Sequence, residues 1–388
     1  MSNLESHPVV RWLMIDARGI VDPGEFLVGL ASQLRAVGID VTRITTGVPI
    51  LHPQLFSISG LWQFGKGASE RLYRAEANMS ALLRNSPILI VYDGGESVRC
   101  RLDTPPSVGE FSILPDLRRE GITDYIVLPA RFADGSNKAV SLATTRPKGF
   151  NDAEIALFEA MMPAVSLALE MQTLRRMART LLDTYVGRQA GGRVLDGQIR
   201  RGMGETIRAA IWLCDLRGFT SLSETLPREA LIDMLNQYFG PMCDAVESNG
   251  GEVLKFIGDA MLGIFPITGD ASALCLRALY AARMAQTSLR AQNQVRSEAG
   301  LPLIDYGIAL HIGDVMYGNI GSDTRLDFTV IGPAVNLTAR IEGLTKQLGK
   351  RVLLSAEFAR ASGARVEPMG EFALKGFGEM QGIFAPQH

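Results

Sequence analysis

The sequence has little cysteine: four residues, at 100, 214, 243 and 275, with no C-x-x-C spacing. That argues against a disulfide framework or a cysteine-built zinc site and fits a reducing compartment. Long apolar runs are also missing. No window approaches the roughly 18 uninterrupted apolar residues of a membrane span, so no integral membrane segment is expected. Glu5, Arg11, Asp16 and Arg18 interrupt the first twenty residues, which therefore lack the apolar core of a signal peptide. Neither sign of charge is in excess: 39 Lys and Arg against 41 Asp and Glu leave a net charge of -2. This excludes an overall basic nucleic-acid binder. What remains is an ordinary globular composition, 47% hydrophobic and 21% charged, long enough for two or three domains and expected in the cytoplasm.

Three parts are legible. Residues 1–152 mix helical and strand patterns as one α+β domain. In 23–37, Phe26, Leu27, Leu30, Leu34 and Val37 recur at helical spacing before Gly38. Residues 39–46 alternate as a strand, and 124–145 read as a hairpin around Asp134-Gly135-Ser136. Residues 153–208 form a dimerising helix and linker. Leu157, Ala160, Ala164, Leu167, Met171, Leu174, Ala178 and Leu181 make a heptad stripe. Ile155, Phe158, Met162, Val165 and Leu169 make a second stripe, so one face can pack on the N-terminal domain and the other on a second chain. Asn151 or Asp152 can cap this helix, and an Arg-rich stretch follows it. Residues 209–388 alternate strands and helices as an α/β sandwich, with a kink expected at Gly240-Pro241.

Chemistry concentrates in the third part. Asp215 ends an apolar strand, and Asp259 sits in a turn between two short strands. Two carboxylates at one sheet edge, joined by triphosphate oxygens, make the all-oxygen shell that Mg²⁺ requires. Two such metals can activate a hydroxyl and hold a leaving pyrophosphate.

The words CDLRGFT (214–220), GGEVLKFIGDAML (250–262), DFTVIGPAVNLTAR (327–340) and LKGFGEM (374–380), in this order, resemble the catalytic domain of the class III nucleotidyl cyclases. The resemblance spans about residues 185–386 and is nearest the bacterial branch with Thr in the base-reading position. It implies a ferredoxin-like palm and a homodimer with two composite sites. Asp215 and Asp259 would bind two Mg²⁺ or Mn²⁺ per site. Leu216 to Thr220, with Gly218, Phe219 and Thr220 at a helix start, would cradle phosphates. From the partner, Lys255 and Thr329 would read the base, Asn336 would orient the ribose, and Arg340 would stabilise the transferring phosphate. Lys375 would contact the triphosphate. Adenine N1 accepts a hydrogen bond, so the donor Lys255 points to ATP over GTP. The expected activity is adenylate cyclase, making 3′,5′-cyclic AMP and pyrophosphate. The alternatives are a catalytically silent dimeric module, or a cyclase using GTP or a pyrimidine triphosphate.

Two similarities fail. GGEV at 250–253 resembles the diguanylate cyclase signature, but Val253-Leu254 supply neither the second acid nor the aromatic that family needs. GKGAS at 65–69 lacks the full phosphate-loop spacing and reads as a loop. The N-terminal half resembles a GAF-type sensor domain in its element order and closing helix. That implies a small-molecule ligand or simple dimerisation. Cys100, His7 and His52 are its only candidates for holding a chromophore or haem.

Overall fold

The computed structural model describes residues 7–49, 55–74, 85–106, 108–200, 202 and 204–387. His52 lies outside them. The chain divides into two units, Met1–Leu181 and Leu182–His388. The division falls inside the long helix, whose residues Phe158 to Leu169 contribute to the N-terminal core.

The N-terminal unit is a six-stranded sheet in the order β3-β2-β1-β6-β5-β4. The strands are β1 (Arg43–Pro49), β2 (Leu55–Gln63), β3 (Gly67–Arg74), β4 (Val98–Arg101), β5 (Asp124–Arg131) and β6 (Asn137–Thr144). Helices α1 (Pro8–Ile15), α2 (Pro23–Ala36) and the start of α5 (Asp152–Tyr185) bury Phe26, Leu30, Phe158 and Val165 against one face. The short helices α3 (Pro87–Tyr92) and α4 (Leu114–Arg119) cover Tyr125, Val127 and Ala143 on the other. The 124–145 hairpin forms as expected, and residues 64–66 are the turn between β2 and β3. Within the apolar run at 86–95, residues Pro87–Tyr92 are helical. Pro87 starts the helix, and the Ser86 hydroxyl accepts from the Ile88 N–H. Cys100 is half-buried, and burial pushes its thiol pKa up, which disfavours the thiolate a covalent attachment would need.

α5 opens on a reciprocal cap. The Asn151 side chain accepts from the Glu154 N–H at 2.9 Å, and Glu154 accepts from the Asn151 N–H at 2.8 Å. Phe158, Met162, Val165 and Leu169 are buried, as the second apolar stripe requires. Leu167, Leu174 and Leu181, one heptad apart, are 46%, 57% and 40% exposed. They form an uncovered seam on the outer side.

The C-terminal unit begins with α6 (Arg188–Leu195) and contains an eight-stranded sheet. Its strands are β7 (Gly204–Leu216), β8 (Glu252–Ile257), β9 (Ala260–Pro266), β10 (Tyr306–Gly321), β11 (Leu326–Ile331), β12 (Val352–Ser355), β13 (Val366–Ala373) and β14 (Met380–Pro386). The order is β13-β14-β12-β10-β7-β9-β8, with β11 paired to β10. The helices are α7 (Phe219–Thr225), α8 (Arg228–Ser248), α9 (Ala271–Glu298), α10 (Pro333–Gln347) and α11 (Ala356–Ser362). Trp212, Cys214 and Leu310 face a core shared with α8, α9 and α11. The alternate residues, Ile211, Leu213 and Ala309, face α6 and α10. Pro241 lies within the single helix α8. Among the described residues, no helix is long and apolar enough to cross a membrane.

Candidate active site

The central strand β7 carries Asp215 to the sheet edge, in register with Ala260 of β9 and Gly307 of β10. Asp259 immediately precedes Ala260 in the β8–β9 turn, so the two carboxyl groups meet. Burial, then Asp259, then Glu342 hold the Asp215 carboxyl well above the usual carboxylate range. Glu342 comes from α10, two residues beyond Arg340. Burial also raises its carboxyl, eased by Thr345 and Arg217. Gly307 permits this approach, because a Cβ there would overlap the Glu342 and Thr345 side chains. Hard oxygen donors under mutual repulsion fit Mg²⁺ or Mn²⁺, whose charge would relieve it. Among the described residues, no group of three or more His, Cys, Asp or Glu side chains could hold a metal.

After Asp215 the chain turns through Gly218, whose φ of +73° suits glycine, into α7 with Phe219 and Thr220 in its first turn. Arg217 fastens this loop. Its N–H bonds Asp305 O at 2.8 Å, and its guanidinium reaches Lys350 O at 2.8 Å and Asp305 at 3.2 Å.

A second group forms between β8 and β11. Lys255 Nζ bonds Asp327 Oδ2 at 2.7 Å. Asp327 and Thr329 are two apart on β11 and share a face, so Lys255 is bonded to the strand face that carries Thr329. Thr329 is 3% exposed, and its hydroxyl is buried with no hydrogen-bond partner. A buried hydroxyl is usually paired, so this one is free to bond a bound group.

Asn336 and Arg340 lie one helical turn apart on α10 and are exposed, while Thr338, Ile341 and Thr345 of the same helix are buried. Lys375 is exposed in the turn after β13. Thus the structure gathers Asp215 with Asp259, and Lys255 with Asp327 of the strand that carries Thr329. It leaves Asn336, Arg340 and Lys375 facing outward. Sequence reasoning missed Glu342 and Asp327. Asp327 opens the word DFTVIGPAVNLTAR, but its pairing with Lys255 appears only in the structure.

Residues 203–385 match the family described as the adenylate and guanylate cyclase catalytic domain. The matched stretch lies within the C-terminal unit. It is similar to the adenylate cyclase of Anabaena cylindrica, 41% identical over 166 residues, or 42% of this chain and 32% of that protein. It is also similar to the terminal-differentiation-specific adenylate cyclase of Dictyostelium discoideum, 31% identical over 42% of this chain and 8% of that protein. Among solved structures, the guanylyl cyclase Cya2 is 35% identical, over 47% of this chain and 92% of that one, with a TM-score of 0.42. The chain therefore spans a third or less of the length of these two curated relatives.

Proposed function

We propose that the chain is an adenylate cyclase, converting ATP to 3′,5′-cyclic AMP and pyrophosphate at a site completed by a second copy of itself. The observation that carries the choice of base is Lys255 bonded to the strand face that carries the unpartnered Thr329 hydroxyl. Lys255 can donate to adenine N1, and Thr329 can accept from the N6 amine.

In this reading the ribose 3′-oxygen attacks the α-phosphorus in line as the bond to the pyrophosphate oxygen breaks. Mg²⁺ or Mn²⁺ held by Asp215 and Asp259, two per site, would supply Lewis acidity for the hydroxyl and the leaving group. The chain's own residues do the positioning. Gly218, Phe219 and Thr220 present backbone to the phosphates, and Asn336 orients the ribose. Arg340 offsets charge on the transferring phosphate, and Lys375 contacts the triphosphate. The outward placement of Asn336 and Arg340 supports a site that a second chain completes. So do the half-exposed apolar Phe256, Ile257, Met316 and Ile331, together with the Leu167, Leu174 and Leu181 seam. The N-terminal unit, as a GAF-like domain, would regulate the dimer, with a small molecule as its ligand.

A second reading, GTP as substrate, draws on the carboxylate of Asp327, an acceptor for guanine N1–H. A silent module is disfavoured, because the acids, Lys255, Asn336 and Arg340 are all present. Purified full chain given ATP, GTP, CTP and UTP separately with Mn²⁺ should form cyclic product and pyrophosphate chiefly from ATP. Preference for GTP would keep the chemistry and reverse the reading of Lys255. Absence of turnover with all four would end the proposal.

A further inference from the structure

Glu252 opens β8 and is only 4% exposed. Its Oε2 accepts a 2.7 Å hydrogen bond from the Tyr317 hydroxyl, and its Oε1 accepts one of 3.1 Å from the Ala190 backbone N–H. The nearest cation is one step away: the Arg193 guanidinium lies 4.8 Å from the centroid of the Tyr317 ring and bonds Glu205 at 2.7 Å. Burial raises the Glu252 carboxyl above its ordinary range, opposed by the bonds from Tyr317 and Ala190 and by Arg193. A buried carboxyl adds little to stability over an apolar side chain of like size, so its value lies in what it joins.

It joins three elements. Lys255 is three residues further along the same strand. Between them the β8–β9 pairing slips, with Val253 opposite Gly263 and Lys255 opposite Leu262. Leu254 is the extra residue of a bulge, and a bulge re-aims the side chains that follow it. Tyr317 sits in β10 opposite Val330 of β11, next to the Gly318–Thr329 pair. The Glu252–Tyr317 bond thus ties the strand of Lys255 to the hairpin of Thr329, although β8 and β11 do not pair in the sheet. The third element is α6. Ala190 is its third residue, and the first-turn N–H groups of a helix have no partner within the helix. Gly187, at φ +92°, opens α6 close to β8, where a Cβ would lie 3.2 Å from Val253 O.

We propose that Glu252 is a positioning residue that sets the spacing of Lys255 and Thr329 from the placement of α6, the segment through which the chain enters the cyclase domain. The proposal rests on the reading of Lys255 and Thr329 as the base-reading pair. Displacement of α6 withdraws one of the two bonds that hold Glu252, and the base-reading pair loosens with it.

Glu252→Ala, Glu252→Gln and Tyr317→Phe in the full chain provide the test, read as kcat and KM for ATP and GTP and as hydrogen exchange over 188–195. Glu252→Ala should raise the KM for ATP and narrow the ATP-to-GTP ratio of kcat/KM, each about 10-fold, and speed exchange over 188–195 about 10-fold. Glu252→Gln keeps an acceptor for Ala190 and a partner for Tyr317, so it should restore each value to within about 3-fold. Tyr317→Phe should narrow the ratio while leaving exchange over 188–195 unchanged. A merely structural role would lower the melting temperature and kcat with KM and the ratio intact, and that result would overturn the proposal. If the wild-type chain turns over no nucleotide, the functional reading fails on its own. The exchange measurement still decides the link to α6, which is refuted by wild-type exchange in Glu252→Ala.

Discussion

Asp259→Asn abolishes product formation, by about 1,000-fold or more, while the metal-free protein melts no lower than wild type. Both halves follow from one geometry. Asp215 and Asp259 meet at the sheet edge, and burial together with Asp259 and Glu342 raises the Asp215 carboxyl. A carboxyl raised in the folded state contributes stability below its ordinary range and loses it as pH rises toward neutrality. Metal-free wild type should therefore lose melting temperature as pH rises through that window. Asp259→Asn removes the nearest like charge and flattens the fall. Activity with Mn²⁺ and melting curves across pH check the two halves. A variant that stays active, or that melts much lower than wild type, would mean the pair is not a metal-binding couple.

Lys255→Ala lowers kcat/KM for ATP by about 100-fold and at the same time narrows the preference over GTP by at least about 10-fold. In the proposed site, loss of the ammonium removes the donor to adenine N1. It also frees the Asp327 carboxylate, which Lys255 engages at 2.7 Å in the wild-type chain. That carboxylate shares a strand face with Thr329 and can accept from guanine N1–H. Steady-state kinetics with both nucleotides check this. Equal losses for ATP and GTP would show that Lys255 serves binding in general rather than base choice.

The elements that hold the proposed site were largely legible, because they are local. The strand ending on Asp215, the Gly258-Asp259 turn and the helix bearing Asn336 and Arg340 each declare themselves as elements within a few residues, through apolar runs and turn chemistry, while the roles of their side chains came only from the family resemblance. The α5 helix was legible from its two apolar stripes. One is buried and the other holds the exposed Leu167, Leu174 and Leu181. What periodicity could not give were contacts between distant segments. Glu252 meets Ala190 and Tyr317 across gaps of 62 and 65 residues, and Lys255 meets Asp327 across 72. Glu342 reaches Asp215 only because Gly307, without a Cβ, lets α10 settle close to β10. The 86–95 segment shows a different limit. Its apolar run was readable, but the helix depends on the Ser86 cap and Pro87, signals easily passed over in so short an element.

The central claim is that ATP is cyclised at a site built from two chains, with the acids from one and the base-reading pair from the other. The most direct measurement is cyclic AMP formation by Asp215→Ala and Lys255→Ala proteins, each alone and then mixed. Each should be nearly inactive alone. An equal mixture gives heterodimers with one intact site of two, and should recover about a quarter of wild-type activity. Heterodimers that form yet make no more cyclic AMP than the parents would contradict the account.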